Sequence, residues 1–381
     1  MTKLNTHKIN GYIEGYYGRL FTWKDRHKII LKLHQNNLSS YFYCPKEDGH
    51  HRIIWKKKYP LEWRKKFQKF CLYGKTLKIN ILAGISPGLN YNFNNYKEDY
   101  KLLLNKINHL IEDGASKIVL MFDDIPNDLE LKNNYVKSEG TLHAILANDI
   151  LKNISVPLYI VPRVYADELI KDTPNYLIDL LKNINKNITL FYCGKKIVSD
   201  TNYPIELTSI RKLSKNKIIF WDNIYANDYC PRKLFISPWH KRSNQIETMF
   251  NLTGLIETDL FLIDLIGETL KSNSTLESWN KILKTYNIPK EFNDIGKYFK
   301  TLNVNPTINF NIKNNSNQNL LSLDFLLWKW KTPLSREWYS FMLILKQDIE
   351  LFNDKLTNNR ILKVYSMPFY NFVRKSLRRN K

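Results

Sequence analysis

Two carboxylates stand side by side in VLMFDDIPND (119–128), where Asp123 and Asp124 follow a run of apolar and aromatic residues. In a strand, neighbouring side chains point to opposite faces. Adjacent acids can therefore share one site only where the strand stops and the chain turns. Held together there, repulsion and loss of water push one of the two toward its protonated form. Carboxylates with unequal proton affinities are what general acid–base chemistry uses. The competing reading is a solvated strand end, ordinary turn chemistry. Three other segments resemble chemical motifs and fail on spacing. YGKTLK (73–78) contains Gly-Lys-Thr, but a phosphate loop needs another glycine five residues before that Gly74, and Lys69 stands there. GISPG (84–88) has no Lys-Ser/Thr after it. DGHHR (48–52) sets His50 directly beside His51, whereas metal-binding histidines come at i,i+4 or with cysteine partners. No metal and no cofactor is expected.

The elements that must position the acids alternate along the chain. Strand-like runs are GYIEGYYG (11–18), SSYFYCP (39–45), INILAGISPG (79–88), KIVLMFDD (117–124), PLYIVPRVY (157–165), ITLFYCG (188–194), KIIFWDN (217–223) and LTGLIET (252–258). Helix-like stretches lie between them, among them WKDRHKIILKLHQN (23–36) and YKEDYKLLLNKINHLIEDG (96–114), the latter with Leu and Ile at helical spacing and a glycine stop. Near-continuous apolar strands separated by helices read as a parallel sheet. Eight such units within residues 1–272 fit an α/β fold of the (β/α)8 TIM-barrel type, with a doubly wound open sheet as the alternative. No GxGxxG follows the first strand, which counts against nucleotide-binding versions of the open sheet. Strand ends carrying Tyr16, Lys46, Asp123, Tyr165 and Asn223 favour the barrel, because barrel enzymes place chemistry at the carboxyl ends of their strands. Residues 273–381 read as a small helical C-terminal domain. It runs through STLESWNKILKTY, an Asn-rich connection (301–320), LLSLDFLLWKW, SREWYSFMLILKQDIELFNDKL and YNFVRKSLRR. Its Trp and Leu stripe has the spacing of packing.

The 381 residues, 43% hydrophobic and 13% aromatic, support a sizeable core. No apolar run approaches the roughly 20 residues of a membrane helix. The polar start MTKLNTHKIN lacks the apolar core of a secretory signal. Cys44, Cys71, Cys193 and Cys230 are far apart without CxxC spacing, which fits reduced thiols in a cytoplasmic protein. A net charge of +22 ordinarily suggests a polyanionic partner. Here lysine is spread through the chain with abundant Asn and Ile, as compositional bias would leave it. Basic clusters are confined to WKKKY (55–59), WRKKFQK (63–69) and VRKSLRRNK (373–381). No specific nucleic-acid partner and no membrane are expected.

Taken in order, GYIEGYYGRLFTWKDR, YFYCPKEDGHHRIIW, AGISPGLNY, VLMFDDI and FWDNIYANDY resemble glycoside hydrolase family 84, the β-N-acetylglucosaminidases, over roughly residues 10 to 270. The resemblance implies a (β/α)8 barrel and a retaining exo-β-N-acetylglucosaminidase. In such an enzyme the substrate's own 2-acetamido oxygen attacks the anomeric carbon. It assigns Asp123 to orienting the acetamide N–H and stabilising the oxazoline-like intermediate, and Asp124 to general acid and base. It further implies that Gly15 lies close to the sugar and that Lys46 donates to a sugar hydroxyl. Tyr165 would sit near the acetamide and the scissile oxygen, through VPRVY where the family reads CPTEY-like. Trp221 would wall the pocket, Asn223 would hydrogen-bond the substrate, and Asp228 would hold the outer hydroxyls. Thr258 stands in for the asparagine usual at the end of the last strand, and Pro126 replaces a usual acid; both bear on affinity and aglycone preference. The expected partner is a protein or glycan bearing β-GlcNAc. Rival readings are a non-catalytic barrel binding GlcNAc-modified protein or nucleic acid, and a hexosaminidase directed at glycan or hyaluronan.

Overall fold

The computed structural model describes residues 10–126, 137–242, 245–272, 274–300 and 316–352. Among these, eight short strands pair in chain order and every pairing is parallel. They are β1 (Asn10–Glu14), β2 (Ser40–Tyr43), β3 (Asn80–Ile85), β4 (Lys117–Met121), β5 (Leu158–Val161), β6 (Thr189–Tyr192), β7 (Ile218–Asp222) and β8 (Thr248–Asn251). β1 closes on β8 through Asn10 opposite Thr248 and Ile13 opposite Asn251, so the sheet is a barrel. Both faces of each strand are covered, which explains apolar runs without polar alternation. Ile13, Phe42, Leu82, Val119, Met121, Tyr159, Phe191, Ile219, Trp221 and Met249 fill the interior.

Helices α1 (Trp23–Gln35), α2 (Leu61–Thr76), α3 (Tyr96–Glu112), α4 (Glu139–Lys152), α5 (Tyr176–Asn183), α6 (Thr208–Leu213) and α7 (Ile256–Ser272) follow β1 to β6 and β8. The start of α1 is fixed by a reciprocal cap: Asp25 N donates to the Thr22 hydroxyl at 3.2 Å, and Thr22 N to the Asp25 carboxylate at 3.3 Å. Just past α3, Gly114 takes the left-handed conformation expected of a glycine stop (φ +106°). Among the described residues the connection from β7 to β8 carries no helix. No described helix is long and apolar enough to cross a membrane.

One strand differs from its sequence reading. LTGLIET (252–258) is not β8; the eighth strand is Thr248–Asn251, and residues 256–258 open α7. Gly254, left-handed at φ +74°, separates the two. A side chain there would also meet the Tyr16 ring at 2.6 Å.

Two compact units emerge. One takes in the barrel up to Tyr229 and then Pro238–Leu283; the other joins Cys230–Ser237 to the chain from Lys284 onward. The change of character at 272 coincides with the end of α7. The next helix, α8 (Thr275–Thr285), groups with the barrel, where Trp279 sets its ring 6.0 Å from Phe261. The second unit contains α9 (Phe292–Phe299), α10 (Ser316–Trp328) and α11 (Pro333–Phe352). Trp338 is fully buried among Phe292 and Trp330, at 5.3 and 5.6 Å between rings, so these two tryptophans are core, whereas Trp328 is 52% exposed. Residues 1–9, most of the Asn-rich connection (301–315), YNFVRKSLRR and the basic end (373–381) lie outside the described residues.

Candidate active site

β4 ends at Met121, and Phe122 N still bonds across to Val161 O at 2.9 Å. Asp124 then takes the left-handed conformation (φ 56°), which few residues besides Gly adopt and which Asp, like Asn, tolerates better than most. This is the turn that lets adjacent acids share a site. Lys46, from the loop after β2, donates to Asp123 Oδ2 and lies 3.3 Å from Asp124 Oδ2. Its side chain is only 2% exposed. Asp123 is likewise buried, and its second oxygen, Oδ1, has no hydrogen-bond partner among the described residues. Asp124 is 32% exposed at its side chain and accepts on both oxygens: Tyr165 donates to Oδ1 at 3.0 Å and Tyr17 to Oδ2 at 2.9 Å. Tyr17 also donates its backbone N–H to Asp228 Oδ2 at 2.9 Å. One tyrosine thus links the exposed Asp228 to the acid pair.

The electrostatics separate the two acids. Burial raises the carboxyl of Asp123 above the ordinary range, and the nearby Asp124 adds to it, against the pull of Lys46. Burial would raise Asp124 too, but Lys46 and the hydroxyls of Tyr17 and Tyr165 outweigh it, and its carboxyl falls below the ordinary range. Of the two acids, Asp123 is therefore the one that holds a proton more readily. That is the reverse of the division expected during the reaction. Lys46 itself is held charged: its neighbours Asp123 and Asp124 more than offset its burial.

Trp221, the fourth residue of β7, belongs to the interior cluster against which Tyr165 packs. Gly15 lets its indole lie against the backbone: a Cβ there would stand 2.9 Å from Trp221 Cζ2. Asn223 is saturated by protein. Its Oδ1 accepts from Trp221 Nε1 at 2.7 Å and from Asn251 Nδ2 at 3.0 Å, while its Nδ2 donates to Ile197 O at 2.9 Å. In this geometry Asn223 ties the Trp221 indole to Asn251 of β8 and to the loop after β6. Thr258 is corrected: it is fully buried within α7, and Asn251 occupies the end of the last strand with its Oδ1 buried and unpartnered. The misplacement follows from assigning β8 too late in the chain.

Tyr17, Arg52 and Asn251 were not singled out from sequence. Arg52 donates to the Tyr17 hydroxyl at 2.7 Å and to the Asp124 carbonyl at 2.5 Å. Tyr17 sits inside the GYIEGYYG run and was detectable as a neighbour of Gly15. Arg52 lies 72 positions from Asp124, and no spacing rule joins them. Of the sequence-selected residues, Lys46, Asp123, Asp124 and Tyr165 meet directly, Asp228 joins through Tyr17, and Gly15, Trp221 and Asn223 form a second group beside the same barrel mouth.

A family model described as NAGidase, beta-N-acetylglucosaminidase, matches residues 10–258. Over 244 residues the chain is 28% identical to Protein O-GlcNAcase of Rattus norvegicus and of Mus musculus, covering 62% of this chain and 26% of each relative. That match therefore spans about a quarter of the relatives' length. In fold, the chain is similar to a mutant of the Thermobaculum terrenum O-GlcNAc hydrolase, with TM-score 0.72 and 22% identity over 97% of this chain and 89% of that one. It is similar to CpGH84B with TM-score 0.72 and 20% identity, covering 98% and 73%. The matched span contains all eight strands, the acid pair and the tyrosines and lysine around it. The chain belongs to the β-N-acetylglucosaminidase family, glycoside hydrolase family 84.

Proposed function

We propose that the barrel is a retaining exo-β-N-acetylglucosaminidase whose nucleophile is the carbonyl oxygen of the substrate's own 2-acetamido group. The observation that carries this is the unpartnered Oδ1 of buried Asp123, whose other oxygen is occupied by Lys46. A buried acceptor left open calls for a donor, and an acetamide N–H supplies one. Asp123 held between Lys46 and that N–H is stabilised as an anion. Repulsion then transfers the preference for the proton to Asp124, the next residue of the chain and closer to solvent. Substrate binding thus converts the resting arrangement into the working one.

In the first step the acetamide oxygen bonds to the anomeric carbon as the glycosidic bond breaks, and Asp124 gives its proton to the departing oxygen. Asp123 balances the positive charge that grows on the oxazoline-like ring. In the second step a water molecule attacks the anomeric carbon, Asp124 takes its proton, the bond from that carbon to the acetamide oxygen breaks, and the sugar leaves with its 2-acetamido group restored and its original anomeric configuration. Trp221 offers a flat apolar wall for the acetyl methyl, and Asp228 accepts from hydroxyls of the terminal sugar. The substrate class is O-linked GlcNAc on protein or glycoconjugate, a reading supported by the relatives named Protein O-GlcNAcase. Four free thiols fit the reducing cytoplasm.

The test is hydrolysis of a series of aryl β-GlcNAc substrates graded by leaving group. Asp124→Ala should lose about 10²–10⁴-fold on poor leaving groups and far less on good ones. Asp123→Ala should be crippled on all of them. A well-folded wild-type protein that cleaves none removes the enzymatic reading.

A further inference from the structure

Arg52 lies in the loop after β2, within DGHHR, and is 7% exposed. Its hydrogen bonds go to a phenol and a peptide carbonyl instead of a carboxylate. Burying a guanidinium is costly, and such neutral partners repay little of that cost; stability alone is a weak reason for its place. What the two arms reach is specific. One Nη donates to the Tyr17 hydroxyl at 2.7 Å, and the other to the backbone oxygen of Asp124 at 2.5 Å. The rigid guanidinium fork fixes both ends together. Because the Tyr17 oxygen is occupied as an acceptor, its one hydrogen is directed at Asp124 Oδ2, 2.9 Å away. The second arm grips the residue whose backbone is left-handed.

We infer that Arg52 is a positioning residue for the acid–base carboxylate: it holds the turn that brings Asp124 beside Asp123 and aims the Tyr17 hydroxyl at it. The inference rests on the glycosidase reading above. The groups facing Asp124 are Lys46 from the loop after β2, Tyr17 from the loop after β1, Tyr165 from the loop after β5 and its neighbour Asp123. Arg52 acts through Tyr17 and the peptide, and touches no reacting atom.

The experiment measures kcat/KM against pH for aryl β-GlcNAc substrates with good and poor leaving groups, in wild type, Arg52→Met, Tyr17→Phe and the double variant, with melting temperature alongside. Tyr17→Phe takes a donor from the Asp124 anion, and Arg52→Met releases the hydroxyl that makes that donation, so in both the basic limb of the profile should move to higher pH. Poor leaving groups should lose about tenfold or more, and good ones less. The double variant should fall short of the product of the two single losses, because the residues act as a unit. If Arg52→Met does not fold, Arg52→Lys and Tyr17→Phe carry the same test, since lysine cannot serve both arms. Folded variants with the wild-type basic limb and leaving-group dependence overturn the inference. So does a loss uniform across pH and leaving group, which is the mark of a merely structural residue. Absence of hydrolysis by wild type overturns the glycosidase reading and this inference with it; an active wild type with unaffected variants overturns this inference alone.

Discussion

Residue identity at the barrel mouth is decided by close approach and by hydrogen-bond accounting. Gly15 has no side chain because there is no room for one: a methyl would stand 2.9 Å from both Ile13 Cγ2 and Trp221 Cζ2. The indole cannot retreat freely, since its N–H is tied to Asn223, which is itself held by Asn251 and the Ile197 carbonyl. Gly15→Ala should therefore displace the pocket wall and cost about 1–3 kcal/mol of stability through overpacking. The kinetic consequence should appear mainly as a raised KM, with kcat less affected, because Asp123 and Asp124 are positioned by other contacts. Thermal melts and steady-state kinetics on one preparation decide it. An alanine variant with unchanged KM would mean that the ring moves without consequence. Gly15 was legible as a tight strand end inside a recognisable run, and Asp123 and Asp124 as an improbable pair. The saturation of Asn223 was not, because it depends on which neighbours β8 and the loop after β6 bring to it.

Elements set the site through their ends. Asp222, the last residue of β7, is fully buried at its side chain and receives Arg242 Nε at 2.8 Å. The same guanidinium donates to Ser199 O at 2.9 Å and Asp200 O at 2.6 Å. It thereby ties the end of β7, one residue before Asn223, to the loop after β6 that supplies the Ile197 carbonyl. Arg242→Met should leave Asp222 as an uncompensated buried charge and destabilise by about 3–5 kcal/mol. Adding Asp222→Asn should recover part of the loss, since no charge then remains stranded. Urea unfolding of the two variants checks this, and equal stability of the single variant and wild type would contradict it. Neither residue stood out in the sequence, for a salt bridge 20 positions apart leaves no periodic trace. The strands themselves were far more legible. Six of the eight fall inside their sequence segments and β1 begins one residue ahead of its own, each shorter than the apolar run because its last residues leave the ladder and turn into the site. β8 escaped because its four residues, TMFN, are too few to stand out beside the more apolar LTGLI that follows.

At the scale of the whole molecule, acidity should be the weakness. The chain already carries +22, and protonating carboxylates on acidification only adds to its self-repulsion. Two histidines add a sharper dependence. His51 is fully buried, with Nδ1 3.0 Å from the Gly84 carbonyl and Nε2 unpartnered, and burial lowers its pKa to about 4. His143, stacked on Phe122 at 3.6 Å, is lowered well below the ordinary value by burial and then by Arg163. An unfolded histidine takes its proton near pH 6.5, whereas these two remain neutral in the fold. Between about pH 6.5 and 4 the unfolded chain therefore binds more protons, and folding stability must fall as pH falls. His51 alone would account for about 3 kcal/mol across that window. Asp123 opposes the trend, because its raised carboxyl is protonated earlier in the fold than out of it, but it is one group against two. Urea midpoints should accordingly decline steadily from pH 7 to pH 4.5. His51→Gln should start lower, having lost a shaped core residue, and decline less steeply, having nothing to protonate at that position. A wild-type midpoint that is flat or rising over this range, or a variant that falls as steeply as wild type, would show that His51 gains its charge without unfolding.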